Sequence, residues 1–320
     1  MKLSISERYR PFSHTPGVLC LIPGTSYYVQ VFPASLRLFD LDKKLIKEIK
    51  WEVEGPLTDF TVFQDLEKGV VTVKSREMSY HILPSLEITN QKHPPRFSLS
   101  KERLFLGVTK QLEWEKIKRR GELREIFPLW FALGNPIDLP LLQKRIGIFS
   151  LLDACESAIK KNRPETILEP FYTLFLAGFS GLFVPRREDE EHQGLPFPTP
   201  GLGKENPLYL LSEGARLIKS LFFAEEKEQI SLLPHLPPEF FSGRCVDFNC
   251  FCGTFSFEWT KKELRQLFLK ASKDAELRVD MSLSSFRLKN AKADKGQRMK
   301  RGELLEIKSG SLYLLDQFQK

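Results

Sequence analysis

Apolar and polar residues alternate in short runs along the first 110 positions. Residues 27–32 form one run, stopped by Pro33, and Leu36, Leu38 and Phe39 continue the pattern. Residues 51–54 alternate up to Gly55-Pro56. Residues 60–63 and 70–73 flank the turn residues Glu67-Lys68-Gly69, and 80–83 end at Pro84. A period of two sends successive side chains to opposite faces of a strand. Strands of this length, spaced about 8–12 residues apart and punctuated by Gly and Pro, predict an antiparallel sandwich or barrel. Residues 104–108 read as its last strand.

The period changes downstream. Residues 111–140 read as a connector, with Lys116, Lys118, Arg119, Arg120 and Arg124 set against Glu113, Glu115 and Glu122. An apolar patch at 127–131 and a Gly134-Asn135-Pro136 turn follow. From 140 to 223 the apolar steps are three and four residues. Leu142, Ile146, Phe149, Leu152, Cys155 and Ile159 line one face of a helix ending near Asn162. A second helix is expected over 165–177. A third takes Asn206 as N-cap and Pro207 at its first position. After Leu232 the strand period returns, closing with 304–307 and 311–314 around a Ser309-Gly310 turn. The expected fold class is mixed α and β. An N-terminal antiparallel β-sandwich-like domain (1–110) leads through the charged connector (111–140) into a short helical middle layer (141–230). A C-terminal β-domain (231–320) follows. Residues 262–273 fit either period, since Leu264, Leu267 and Phe268 also have helical spacing.

One motif stands out. Leu232-Leu233-Pro234-His235-Leu236-Pro237 is followed by Ser242-Gly243 and then by Gly253-Thr254-Phe255-Ser256-Phe257-Glu258-Trp259. This pattern resembles the junction between the helical catalytic domain and the C-terminal β-domain of inverting alpha-L-fucosidases and maltose/kojibiose phosphorylases. The resemblance covers the last third of the chain and concerns a supporting domain. It implies that 262–273 is a strand paired with 255–259, and that the proline turn wedges between helix and sheet. In those enzymes a closed barrel of about twelve helices carries the catalytic carboxylates, and such a barrel needs roughly 150–250 residues. The helical region here holds three or four helices. The family's catalytic residues therefore have no positions onto which they carry. Two readings stand: a carbohydrate-related protein that binds a glycan or processes glycosides weakly, and a non-catalytic structural or interaction protein. Whether the chain is an enzyme stays open at this level.

The candidate site is the loop over 178–196. Gly and Pro hold both ends, and its middle holds charges of both signs. Asp189, Glu190 and His192 are the candidate catalytic residues, since a carboxylate beside Arg or His can exchange protons. Arg186, Arg187, Gln193 and Trp130 are the candidate ligand-binding residues. Trp114, Trp130, Tyr27 and Tyr28 would supply aromatic faces for stacking on a sugar. No dinucleotide, Walker or nucleophile-elbow motif occurs and the histidines lack ligand spacing, so neither cofactor nor metal is expected.

Composition adds bounds. Hydrophobic residues are 42% and charged residues 28%, as in ordinary globular proteins. The first residues lack an apolar signal segment, and the five cysteines are scattered, so reduced thiols and a cytoplasmic location are expected. Cys250 and Cys252 would share a strand face with Phe248, either as buried small apolar groups or as a redox or metal pair. The formal net charge is +7. Six of those charges fall between Arg287 and Arg301, where seven cations, Lys292 among them, face only Asp294. That segment is either a solvated loop or the seat of an anionic partner, nucleic acid included, and a protein partner would dock on Lys116 to Arg124. No membrane contact is expected, as no apolar run reaches about 18 residues.

Overall fold

The alternating runs of the N-terminal third form two antiparallel meanders. In the computed structural model, which describes residues 3–53, 57–97, 99–108, 110–161, 163–195, 205–290 and 295–320, β1 (Phe12–Ser13) precedes the first meander. That meander is β2 (Val18–Leu21), β3 (Tyr27–Phe32), β4 (Ser35–Asp40) and β5 (Leu45–Lys50), hydrogen-bonded in that order. The second is β6 (Thr61–Asp65), β7 (Val70–Lys74), β8 (Ser79–Ile82) and β9 (Ile88–Thr89), with β1 on its outer edge. Gly55-Pro56, Asn162, Pro196, Lys292 and Asp294 lie outside the described residues. Val29, Val31, Val62 and Val71 are fully buried, as a two-residue period requires of the inward face. The buried Gln64 side chain joins the meanders to the middle of the chain by donating to the carbonyls of Leu21 (2.9 Å) and Leu182 (3.2 Å).

The expected last strand of this domain belongs elsewhere. β10 (Arg103–Phe105) pairs antiparallel with a C-terminal strand. The charged connector is also not a linker. It folds as α1 (Trp114–Arg120), ended by Gly121 in the left-handed region at φ 61°, and α2 (Leu123–Gly134). Pro128 lies inside α2, where it removes one backbone donor. Burial of Phe127, Trp130 and Phe131 outweighs that loss.

The helical layer continues with α3 (Ser150–Lys160), α4 (Leu168–Gly178) and α5 (Leu208–Phe222). Asn206 Oδ1 accepts the N–H of Leu208 at 3.0 Å, the capping role its sequence position suggests. α2 and α5 approach closely because two glycines allow it. A Cβ on Gly134 would lie 2.0 Å from the Leu211 carbonyl, and one on Gly214 would lie 2.3 Å from the Trp130 ring. Between α4 and α5 runs a small hairpin, β11 (Phe179–Ser180) and β12 (Val184–Pro185). Five short helices are present among the described residues, and none is long and apolar enough to cross a membrane.

The C-terminal part is two sheets. β13 (Phe223–Glu226) and β14 (Gln229–Leu232) precede the long strands β15 (Ser242–Cys250), β16 (Gly253–Thr260) and β17 (Glu263–Ala271). β18 (Ala275–Asp280), β19 (Ser285–Asn290), β20 (Gln297–Lys300), β21 (Leu304–Ile307) and β22 (Leu312–Gln319) follow. One sheet runs β10-β15-β16-β17-β22-β19-β20 and the other β13-β14-β18-β21. The ambiguous segment is therefore strand β17, and Phe255 faces Leu269 across the pair as Trp259 faces Leu264. Strands β21 and β22, expected around one turn, lie in different sheets. The basic segment is in large part the β19–β20 hairpin.

The proline-rich turn wedges between α5 and the larger sheet. Leu233 and His235 N–H groups donate to the Phe222 and Leu221 carbonyls at the end of α5. Trp259 stacks on Phe222 (centroids 5.5 Å) and donates its indole N–H to the Phe240 carbonyl at 3.0 Å. Beside this aromatic seam is an ionic one. Glu102 is buried, and both its oxygens accept the Lys219 ammonium at 3.0 Å. Oε1 also accepts the Asn249 N–H at 2.8 Å. The ammonium lies 5.3 Å from the Phe248 ring centre and 5.8 Å from that of Phe223.

Removing one partner of such a pair should cost more than removing both. Lys219→Met is expected to lower the free energy of unfolding by about 3 kcal/mol in urea titrations, because Glu102 is left buried and uncompensated. The double variant Lys219→Met/Glu102→Leu should recover most of that loss. Equal losses in the two proteins would show that pairing is not what holds the seam.

Candidate binding site

Most charges of the 178–196 loop are engaged, some within the loop and some with neighbouring segments. Its β11–β12 hairpin turns inward, burying Leu182 and Phe183, and Phe183 has φ 53°. Arg186 is buried and caps α4, donating to the Ala177 and Leu176 carbonyls, each at 2.9 Å. Its guanidinium also donates to Asp189 at 2.9 Å. Asp189 accepts three backbone N–H groups besides, from Gln193 (3.1 Å), Gly194 (2.8 Å) and Leu195 (2.8 Å). Burial opposes its ionisation, but the N–H groups of Leu195, Gly194 and Gln193 and the Arg186 charge outweigh it. They hold the carboxyl below the usual carboxylate range. Glu190 is exposed and paired with Lys43, while Arg187 binds Asp42 at 2.5 Å and the Glu205 carbonyl at 2.8 Å. His192 and Gln193 are exposed, and the His192 N–H closes a turn onto the Asp189 carbonyl. Of the residues expected to act on a ligand, Arg186 and Asp189 are in contact, and Asp189 is saturated by the loop it shapes. Arg187 and Glu190 turn to Asp42 and Lys43 instead.

Three of the four residues of the expected aromatic platform are core, and Tyr27 is partly buried against it. Trp130 is fully buried against Gly214 and Phe179, and its N–H donates to the Leu210 carbonyl at 3.2 Å. Trp114 is buried 4.8 Å from the Phe183 ring, and Tyr28 stacks on Phe39. Most cations of the former connector are also engaged. Lys116 binds Glu113 (2.6 Å), Arg124 binds Glu122 (3.1 Å), and Arg120 grips Glu125 with two bonds.

A second location has open chemistry. A cleft of about 380 Å³ lies where the N-terminal sheet, α2 and β15 meet, and Glu67, Arg96, Lys101, Glu102, Arg103 and Asp247 line it. Asp247 belongs to a β-bulge, where β15 slips against β16 between Cys245 and Phe248. Its φ of 55° is left-handed, a conformation uncommon for residues other than Gly, Asn and Asp. Its N–H is satisfied by Ser256 Oγ at 2.9 Å. The half-buried carboxylate has no hydrogen-bond or ion-pair partner among the described residues. Arg96 and Lys101 likewise have no such partner among them. Arg103 binds Glu67 at 3.0 Å, and Glu102 is held by Lys219. Bulges and left-handed residues gather at sites where a side chain must be re-aimed. Sequence reading passed over Asp247. The available signal was Cys245-Val246 followed by Asp247-Phe248, two adjacent apolar residues that break the period of two.

The cysteines divide sharply. Cys250 closes β15 while Cys252 lies in the turn before β16, so they straddle a reversal instead of sharing a strand face. Their sulfurs are 3.5 Å apart. The thiol–thiol hydrogen bond lowers the Cys250 pKa and raises that of Cys252. Burial pushes the thiols of Cys20, Cys155 and Cys245 up. No cluster of three or more His, Cys, Asp or Glu able to hold a metal occurs among the described residues. The chain matches no family model and no curated protein.

Two outcomes check these assignments. Asp189→Asn should destabilise the protein by about 1–3 kcal/mol at neutral pH, the cost of weakening a buried acceptor. The carboxyl contributes stability above about pH 4 and loses it as pH falls through its lower folded value, so the variant's acid-unfolding profile should be flatter in that window. Brief alkylation of the native protein should modify Cys250 first. The other four thiols should react only after unfolding, as read by peptide mass spectrometry.

Proposed function

We propose that the chain is a carbohydrate-related protein that binds a glycan in the Asp247 cleft without processing it. The observation that carries this reading is the unpaired, half-buried Asp247 carboxylate, set at a bulge in a cleft shared with Arg96 and Lys101. A carboxylate can accept two hydroxyl groups at once, and guanidinium and ammonium groups donate to others. That combination suits a neutral polyhydroxylated ligand. Glycoside hydrolysis needs two carboxyl groups about 5–9.5 Å apart and free to act. Glu67 is held by Arg103 and Glu102 by Lys219, so neither is free to work with Asp247. The order of sandwich, helices and β-domain, with its proline turn and Gly-x-Phe-x-Phe-x-Trp strand, supports the same reading as the scaffold of a sugar-handling protein without its barrel.

The test is a thermal-shift screen against neutral mono- and oligosaccharides at low and high salt. Wild type should show a rise in Tm that grows with the logarithm of sugar concentration above Kd and is insensitive to salt, reaching about 2.7 kcal/mol of added stability at a hundredfold excess over Kd. Asp247→Asn keeps a residue suited to the left-handed backbone and should weaken binding at least tenfold. A cooperatively folded protein that answers no sugar in the panel, or an unchanged Asp247→Asn, would defeat the reading.

A further inference from the structure

We infer that the cleft between the β16–β17 turn and the β20–β21 turn binds the backbone of a single-stranded nucleic acid. The cleft, about 790 Å³, is lined by Lys261, Lys262, Lys300, Arg301 and Lys320 with Glu263. Five cations against one carboxylate leave a formal excess of four positive charges. Glu263 is itself neutralised by Lys320 at 2.8 Å and Arg265 at 3.6 Å, and Arg301 is paired with Asp280 at 2.6 Å. The side-chain ammonium groups of Lys261, Lys262 and Lys300 are exposed and have no ion-pair partner among the described residues, although the Lys300 backbone N–H donates to the Glu303 carboxylate at 2.8 Å. The cluster is built from three separate segments, and only Lys300 and Arg301 of the basic run 287–301 contribute to it. Arg287 is clamped by Asp316 and Arg298 by the Gln317 carbonyl and Ser285.

The backbone of the turn breaks a local rule to place two of these charges. Thr260 and Glu263 are paired, so Lys261 and Lys262 form a two-residue hairpin loop, with φ 56° and 62°. Such a loop favours Asn-Gly, and lysine has no conformational reason to occupy either position. Departures of this kind are expected where a side chain is needed for function. An exposed aromatic residue, outside the cleft lining itself, neighbours the turn in space. Phe241, 51% exposed, has its carbonyl bonded to the Lys262 N–H at 3.0 Å, which sets it beside the turn. Cations that follow a backbone together with an exposed ring for base stacking are the two parts of single-strand recognition. A duplex keeps its bases stacked internally and offers that ring nothing.

The test exploits the strained turn. Lys261→Asn/Lys262→Gly removes two charges while giving the hairpin its preferred residues, so Tm should rise as binding falls. Fluorescence anisotropy would follow a labelled 15-nucleotide oligo(dT), the matching duplex and competition by inorganic phosphate over a range of salt. For wild type we expect tighter binding of the single strand than of the duplex, resistant to millimolar phosphate and weakening with salt. The turn variant should bind at least tenfold more weakly, with its log–log salt slope reduced by about two. Phe241→Ser should weaken the single strand at least about fivefold and leave the slope unchanged. Asp247→Asn should bind the oligonucleotide as wild type does, which separates this site from the glycan cleft. A folded, stabilised turn variant that binds like wild type would overturn the inference. So would equal affinity for duplex, or full displacement by phosphate, which would leave a simple anion site.

Discussion

The Lys219 ammonium, held by both oxygens of Glu102 and faced by the rings of Phe223 and Phe248, is the contact on which the architecture turns. Glu102 comes from the approach to β10, Lys219 from α5, and the Asn249 N–H that shares the carboxylate from β15. One ion pair thus joins the segment that leaves the N-terminal meanders, the helical layer and the larger C-terminal sheet. A buried charge pair is weak as a source of net stability, since desolvation opposes it. It is strong as a constraint on geometry, because any arrangement that separates the partners leaves a carboxylate without water or counter-charge. The aromatic seam from Phe222 to Trp259 and Phe240 adds the apolar burial that the ion pair does not supply.

Much of the β structure was legible in the sequence, because a strand with one buried face has to alternate and has to stop at a turn. β3, β4, β6, β7, β8 and β16 follow from that period, whereas β17 fits either period and only the resemblance implies a strand there. The strand expected at 51–54 lies instead at Leu45–Lys50, where the exposed, lysine-rich edge hides the alternation. The helices at 114–134 were not legible. Their charges conceal an apolar face that is visible only once Arg120 pairs with Glu125 and Arg124 with Glu122, and Pro128 argues locally against a helix that tertiary burial favours. Strand β10 was assigned to its sequence neighbours, whereas its partner lies about 140 residues downstream.

Density of charge proved a poor guide to where chemistry is available. The 178–196 loop is rich in ionisable groups because it must satisfy its own backbone. Arg186 and Asp189 replace hydrogen bonds that a helix end and a tight turn leave open, and in doing so they lose the freedom to bind anything else. Asp247 is a single acid in an unremarkable run, yet the bulge leaves its carboxylate unspent. The difference lies in which lone pairs remain, a three-dimensional quantity. The basic segment repeats the lesson, since a continuous run in sequence divides, among the described residues, into clamped arginines and lysines without an ion pair.

The first described residues are stitched to the far end of the chain. Leu3 packs with Val246 and Phe268, the Ser4 carbonyl accepts Arg244 at 3.4 Å, and the Tyr9 hydroxyl donates to the Leu104 carbonyl on the strand beside them. During synthesis Tyr9 can settle once the strands at 61–65 and 103–105 exist, but Leu3 and Ser4 find these partners only after some 240 further residues have followed them. Closing so long a loop carries a large entropic cost, which is repaid only after β15 and β17 exist. Leu3 and Ser4 are therefore expected to dock last, as a latch drawn across a sheet already formed. The meanders behind it can organise on their own in the meantime.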